Sequence, residues 1–152
     1  MFQVMTIDEK DKKILEILKE HSDYSTRQIA KKVALPITTI HNRIRKLKQE
    51  GIIKKFSVII DHKKLKQNFV AYVLISANLQ ILKQKHKSQH DLAKELKKLH
   101  CIERVDIVSG GTDLIAIVRV KDVEEFDKVL LEKIQLIEGI EKSQSMIVIH
   151  EG

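Results

Sequence analysis

Apolar residues in the first sixty positions recur at the spacing of α-helices. A first helix starts at Asp8 or Asp11 and ends near Glu20, and its apolar side carries Ile14, Leu15, Ile17 and Leu18. A second helix starts at Ser25, because Ser25 and Gln28 have the spacing of a capping box. Its inward side carries Ile29, Ala30 and Val33.

A third helix follows a turn near Ala34 and Leu35, starts at Pro36 and stops at Gly51, which suits the left-handed position after a helix end. Its apolar stripe consists of Ile37, Ile40, Ile44 and Leu47. The segment that follows, IIKKFSVII at 52–60, is rich in β-formers and predicts a strand.

The rest of the chain has the pattern β-α-β-β-α-β. The predicted elements are a strand at 69–77, a polar basic loop at 78–87, a helix at 88–99, a strand at 102–109, a turn at 110–111, a strand at 114–120, a helix capped at Asp122 and a strand at 140–150. This order is the ferredoxin-like arrangement, in which helices cover one sheet face. The strand LIAIVRV is apolar on both faces, so we expect a second subunit to cover the other face; the alternative is an apolar face left in solvent.

The predicted fold class is therefore α+β, in three parts. Residues 1–52 form a (winged) helix-turn-helix domain, 53–67 a strand and linker, and 68–152 a ferredoxin-like domain.

Positive charge is concentrated in the first part. Residues 1–60 hold 13 Lys and Arg against 7 Asp and Glu, whereas residues 61–152 hold 15 against 14. Between residues 25 and 55 there are nine basic side chains and one acidic one, Glu50. Such a cluster indicates an anionic polymer as partner, although a solvated lysine-rich surface has the same composition.

The third helix has chemistry that suits the major groove of DNA. Thr38, Thr39 and Asn42 have the size and hydrogen-bonding groups to reach base edges. Arg43, Arg45 and Lys46 would lie nearer the phosphates, and His41 either packs or bonds a phosphate. The predicted DNA-binding set is completed by Thr26, Arg27 and Pro36.

Other classes of function have less support. No metal-ligand spacing, glycine-rich phosphate loop or CxxC motif occurs, so we expect no enzyme, cofactor or metal site. The six aromatic residues are not interleaved with the basic run, which disfavours binding of single-stranded RNA. A small-molecule sensor or assembly protein with an incidentally basic half is the main alternative.

Several features point to a reducing cytoplasm. The single cysteine, Cys101, lies in an apolar stretch and is expected to be buried. Residues 1–13 have no signal-peptide pattern, and no apolar run is long enough to span a membrane.

The ordered set of motifs resembles the leucine-responsive regulatory protein / AsnC (feast/famine) family of transcription regulators, in its archaeal type. The resemblance rests on IDEKDKKILEIL, on STRQIAKKVALPITTIHNRIRKLKQEGII, on SGGTDLIAIVRV and on LIEGIEKSQSMIV. It implies a sequence-specific DNA-binding regulator that assembles as a dimer, tetramer or octamer and acts on the transcription machinery.

The resemblance also implies a small effector, typically an amino acid, at the turn Gly110, Gly111, Thr112 and Asp113. This chain departs from the family pattern at four places. Ala34 and Lys66 stand where glycine is usual, Pro36 replaces the usual serine cap, and the loop at 78–87 is longer than usual.

Overall fold

The computed structural model describes residues 7–151 and divides the chain into two compact units, residues 1–60 and 61–152. The expectations for residues 1–6 lie outside the described part. In the first unit the helices are α1 (Glu9–Glu20), α2 (Thr26–Val33) and α3 (Ile37–Gln49). In the second unit the elements are β1 (Phe69–Ala77), α4 (Leu79–Gln84), α5 (Gln89–Leu96), β2 (Ile102–Ile107), β3 (Leu114–Val120), α6 (Val123–Val129, continued by a π-helical turn, Leu130–Ile134) and β4 (Ile140–Ile147).

The helix starts of the first unit follow from local capping. Asp8 is the N-cap of α1, and Asp11 is the third helical residue of a reciprocal capping box. Ser25 caps α2 in the same way, with Gln28 as its partner, which confirms the predicted start. Pro36 stands at the N-cap of α3 and provides no side-chain hydrogen bond.

A small apolar core holds these three helices together. Its buried members are Ile14, Leu18, Ile29, Ala30, Ile40 and Leu47. The apolar stripe predicted for α3 is wrong at one position, since Ile37 is 46% exposed. Ile37 is the first residue of α3 and extends beyond the layer that Ile40 and Leu47 reach.

The predicted strand at 52–60 does not form. Residues 54–60 have no regular secondary structure, and Val58 and Ile59 are 77% and 100% exposed. A strand needs a neighbour that pairs with its backbone groups, and no strand within residues 7–151 pairs with this segment. The segment is instead attached through Ile53 N–H, which donates to Leu47 O at 3.0 Å, and Ser22 Oγ, which donates to Ser57 O at 3.2 Å.

The second unit contains the predicted sheet. Four antiparallel strands stand in the order β2-β3-β1-β4. In β3, buried and half-buried residues alternate, because Leu114, Ala116, Val118 and Val120 face the core. The core also contains Leu92 and Leu96 from α5 and Phe126 from α6, so helices cover this face.

The opposite sheet face has an apolar surface that is open to solvent in the single chain. Register places Tyr72 opposite Ile117 and Met146, and Leu74 opposite Ile115. Tyr72 and Met146 are 39% and 50% exposed, and the other three side chains are half-buried.

The strands predicted at 69–77 and 114–120 are confirmed, whereas those predicted at 102–109 and 140–150 end at Ile107 and Ile147. Residues 78–87, expected as a loop, contain α4, because Asn78 caps the helix by accepting from Ile81 N–H at 3.0 Å and Leu82 packs into the core. The helix predicted at 88–99 ends at Leu96, although its Ser88 capping box is confirmed. Cys101 is buried as expected, and burial raises the pKa of its thiol.

None of the helices within residues 7–151 has the length and apolar character needed to cross a membrane.

Left-handed backbone at Ala34 has a measurable cost. Ala34 has φ 55° and ψ 48°, a conformation that costs an L-residue roughly 1–2 kcal/mol. We expect Ala34→Gly to stabilise the first unit by about 0.5 kcal/mol, since the flexibility that glycine adds to the unfolded chain offsets part of the gain. Thermal unfolding followed by circular dichroism measures the difference.

Ala30→Gly in the same helix is the matched control. Ala30 is buried within α2, so this change is expected to destabilise by about 1 kcal/mol or more. A loss of stability in both variants would contradict the strain at Ala34.

Candidate nucleic-acid interface

One side of α3 is exposed and carries no acidic residue. Ile40 and Leu47 are both 0% exposed, which fixes the rotation of the helix on the core. The side chains that this rotation leaves exposed are Thr38, His41, Asn42, Arg45, Lys46 and Gln49, whereas Thr39 is half-buried. The surface is therefore neutral near the start of the helix and positive farther along.

The start of α3 adds positive potential to this surface. Pro36 offers no capping oxygen, and the first turn holds no acidic side chain. The first backbone N–H groups of a helix have no partner within the helix, and they form the positive end of its dipole. An anion next to Ile37 and Thr38 would therefore be stabilised.

A second group of cations lies on the flank of α3 that faces α2 and residue 56. A cavity of about 390 Å³ in the first unit is lined by His41, Arg45 and Lys48 together with Tyr24, Thr26 and Phe56, among others. Lys48 Nζ lies 4.6 Å from the centroid of the Phe56 ring, a cation–π contact. Of the remaining predicted residues, Arg27 and Pro36 are exposed near the turn between α2 and α3.

Arg43 differs from the other predicted DNA-binding residues. Its guanidinium Nη1 donates to Asp8 Oδ2 and to Asp11 Oδ1, each at 2.8 Å. The hydrogen bonds that Arg43 donates to Asp11, and then to Asp8, raise the pKa of its guanidinium above the ordinary value. The side chain of Arg43 therefore joins α3 to α1.

The turn at 110–113 in the second unit is built by internal hydrogen bonds. Asp113 Oδ2 accepts from Ala77 N–H at 2.8 Å, and Asp113 Oδ1 accepts from Gln89 Nε2 at 2.7 Å. Thr112 Oγ1 donates to Ile75 O at 2.9 Å. Each oxygen of the Asp113 carboxylate thus already has a partner in the fold.

Beside this turn lies a cavity of about 310 Å³. It is lined by Leu74, Ser76, Gly111, Thr112, Lys142 and Gln144. Gly110 and Gly111 are exposed at the turn itself. The cavity therefore offers one cation and several neutral polar groups to a small ligand.

Two family models match the chain over nearly its whole length. Residues 7–54 match the model described as "Winged helix-turn-helix DNA-binding". Residues 71–151 match the model described as "Lrp/AsnC ligand binding domain". The chain belongs to the Lrp/AsnC family of transcription regulators.

Relatives within the Lrp/AsnC family agree with this assignment. The HTH-type transcriptional regulator FL11 of Pyrococcus horikoshii is 36% identical over 143 residues, which cover 94% of this chain and 89% of the relative. The solved structure of E. coli AsnC matches with a TM-score of 0.81 and 25% identity, over 97% of this chain and 95% of AsnC. A Neisseria meningitidis transcriptional regulator, solved as a complex with L-Met, has the same fold, with a TM-score of 0.86 at 21% identity over 96% of this chain and 92% of that one.

Sequence reasoning missed several side chains at both candidate sites of this Lrp/AsnC chain. Lys48 and Phe56 come together only because residues 52–56 fold back along α3. Gln89 reaches Asp113 across the fold. Lys142 and Gln144 of β4 border the cavity beside Thr112 only because β4 pairs with β1. None of these contacts has a signal in local spacing.

The carboxylate of Asp113 is predicted to stabilise the turn of this Lrp/AsnC domain. Asp113→Asn keeps one accepting oxygen and places an NH2 group where a donor already points, so we expect a loss of about 1–3 kcal/mol. Thermal unfolding of the full chain measures this loss.

Gln89→Ala is the control, because it removes only one of the two donors, and it is expected to cost about 1 kcal/mol. An Asp113→Asn protein of unchanged stability would mean that the carboxylate is free for another role.

Proposed function

We propose that this Lrp/AsnC regulator reads duplex DNA through the exposed side of α3, and does so in the cytoplasm with the transcription machinery as its downstream partner. One observation carries the proposal: α3 presents an acid-free surface whose rotation is fixed by fully buried Ile40 and Leu47. A helix of 13 residues with short polar groups first and cations later suits insertion into a major groove.

The exposed side chains divide into two roles. Thr38 and Asn42 lie where base edges would be read, and an asparagine amide can pair with adenine through two hydrogen bonds. Lys46 and Arg45 lie where phosphates would pass. Half-buried Thr39 and Thr26 contribute less surface, and Arg27, Pro36 and His41 border the same region.

Asn42→Ala and Lys46→Ala are expected to have different effects on DNA binding. Asn42→Ala should lower the ratio of operator to random-duplex affinity by about tenfold, since it removes a base contact. Lys46→Ala should weaken both affinities equally and reduce the slope of log K against log salt by about 1. Fluorescence anisotropy measures both, with an operator selected by the wild-type protein from randomised duplexes.

Lys12→Ala on α1 removes a lysine that pairs with Glu9 and serves as the charge-matched control. It should leave both quantities unchanged. An Asn42→Ala protein with the wild-type affinity ratio would refute the assignment of this face to base reading.

We also propose that two subunits join through the open face of the second unit's sheet. An apolar surface formed by Tyr72, Leu74, Ile115, Ile117 and Met146 supports this pairing. Residues 54–60 support it as well, because they have a β-rich sequence and no strand partner in their own described chain. Association into tetramers or octamers would then bring several α3 helices to one DNA.

An amino-acid effector is proposed to bind beside Gly110, Gly111 and Thr112. The cavity next to Thr112 and the single cation of its lining, Lys142, support a ligand with a carboxylate. Asp113 would act indirectly, by holding the turn in place. The ligand would change the association of subunits and so the spacing of the reading helices.

Sedimentation equilibrium tests the assembly. The wild-type protein is expected at an even multiple of the chain mass of 17.6 kDa. The variant Ile117→Glu is expected at the mass of one chain, because its carboxylate would be buried and unpaired between the two sheets. Leu131→Glu, at a 49% exposed apolar position on the other side of the domain fold, is the control and should keep the wild-type mass.

The same runs with added amino acids test the effector. At least one amino acid is expected to shift the mass distribution of the wild-type protein. A monomeric wild-type protein would refute the dimer, and an unchanged distribution with every amino acid would refute effector control.

A further inference from the structure

Arg43 is the centre of a closed network at the first turn of α1. Asp8 Oδ1 accepts from Asp11 N–H at 2.9 Å, and Asp11 Oδ2 accepts from Asp8 N–H at 3.2 Å. The other oxygen of each carboxylate accepts from Arg43 Nη1 at 2.8 Å. Each carboxylate therefore caps α1 with one oxygen and holds α3 with the other.

Burial makes this network hard to replace. The Asp11 side chain is 3% exposed and that of Arg43 is 26% exposed. Asp11 is also the only buried charged residue within residues 7–151. Removing the guanidinium would leave a buried carboxylate with one partner fewer, which is costly because the charge has little access to water.

The charge of this flank is negative. Two carboxylates face one guanidinium, and hydrogen bonds from the Asp11 N–H and from Arg43 lower the pKa of Asp8. A phosphate that approached Arg43 would meet two carboxylates beside one guanidinium, whose Nη1 already donates to both. The carboxylates of Asp8 and Asp11 would therefore repel a phosphate at this position.

The other flank of α3 has the opposite charge. Arg45 follows Arg43 by two residues, which places it about 200° around the helix. Arg45, Lys48 and His41 line the cavity there, and no acidic side chain lines it. The two flanks of the reading helix are therefore electrostatically unlike.

We propose that Arg43 is a positioning residue, which holds α3 against Asp8 and Asp11 of α1. The DNA backbone faces away from this flank of α3, and its phosphates lie along the opposite flank, that of Arg45 and Lys48. This inference rests on the proposed function, since it specifies how α3 lies against the DNA. It makes α1 part of sequence recognition, although α1 itself touches no base.

The test compares Arg43→Met with Arg45→Met in the full chain, on the selected operator and on random duplex, over a range of salt concentrations. Arg45→Met should lower the salt slope by about 1. Arg43→Met should leave the slope at its wild-type value and lower the operator-to-random ratio by about tenfold, because α3 is no longer held in one orientation. Measurements are made well below the unfolding temperature of each variant, as checked by circular dichroism.

Two further variants keep the test decisive if Arg43→Met folds poorly. Asp11→Asn should reproduce the lowered ratio with an unchanged slope, although it alters no cation. Arg43→Lys should restore part of the ratio, because one ammonium can still reach a carboxylate.

Each outcome separates the possibilities. A fall in slope for Arg43→Met equal to that for Arg45→Met would overturn the proposal, since Arg43 would then contact a phosphate. If Arg43→Met and Asp11→Asn keep the wild-type operator-to-random ratio and lose only thermal stability, the positioning role of Arg43 is overturned. An unchanged salt slope in all three variants, at Arg43, Arg45 and Lys46, would instead count against DNA reading by α3.

Discussion

The small apolar core of the first unit is the constraint on which the exposed surface of α3 depends. Six buried side chains hold three helices, and the burial of Ile40 and Leu47 fixes the rotation of α3. Directional polar contacts add to this packing: reciprocal caps at Asp8 and Ser25, and the guanidinium of Arg43 between two carboxylates. The helix α3 is thus held by contacts with α1 as well as by its own apolar stripe.

The second unit is stabilised in a different way. Its sheet has a continuous backbone ladder and a larger core, so the turn at 110–113 can be held by side chains without being part of that core. Asp113 and Thr112 bond backbone groups of β1, and this leaves the two glycines exposed. The ligand site proposed at this turn would combine a fixed frame with accessible backbone N–H groups.

Elements that are specified locally could be predicted from the sequence. The boxes at Ser25 and Ser88 depend only on neighbouring residues, and they form as expected. The strand at 69–77 also forms as expected, because it finds β3 and β4 as pairing partners. The segment at 52–60 has the composition of a strand, but composition says nothing of a partner strand. The helix α4 was not predicted because residues 78–87 are mostly polar. Asn78 and the absence of glycine and proline were nevertheless a signal for a helix. Arg43 resembled its basic neighbours because its partners lie 32 and 35 residues away.

The open segment at 54–60 has a consequence for the behaviour of the protein in the cell. Val58 and Ile59 are exposed in a β-rich segment that pairs with no strand of residues 7–151, and such a segment is a template for pairing with another chain. In the proposed assembly, correct pairing between like chains competes kinetically with aggregation. Such an assembly would make the apparent stability of the regulator depend on its own concentration, so that its abundance would set how much of it is protected from misassembly and proteolysis.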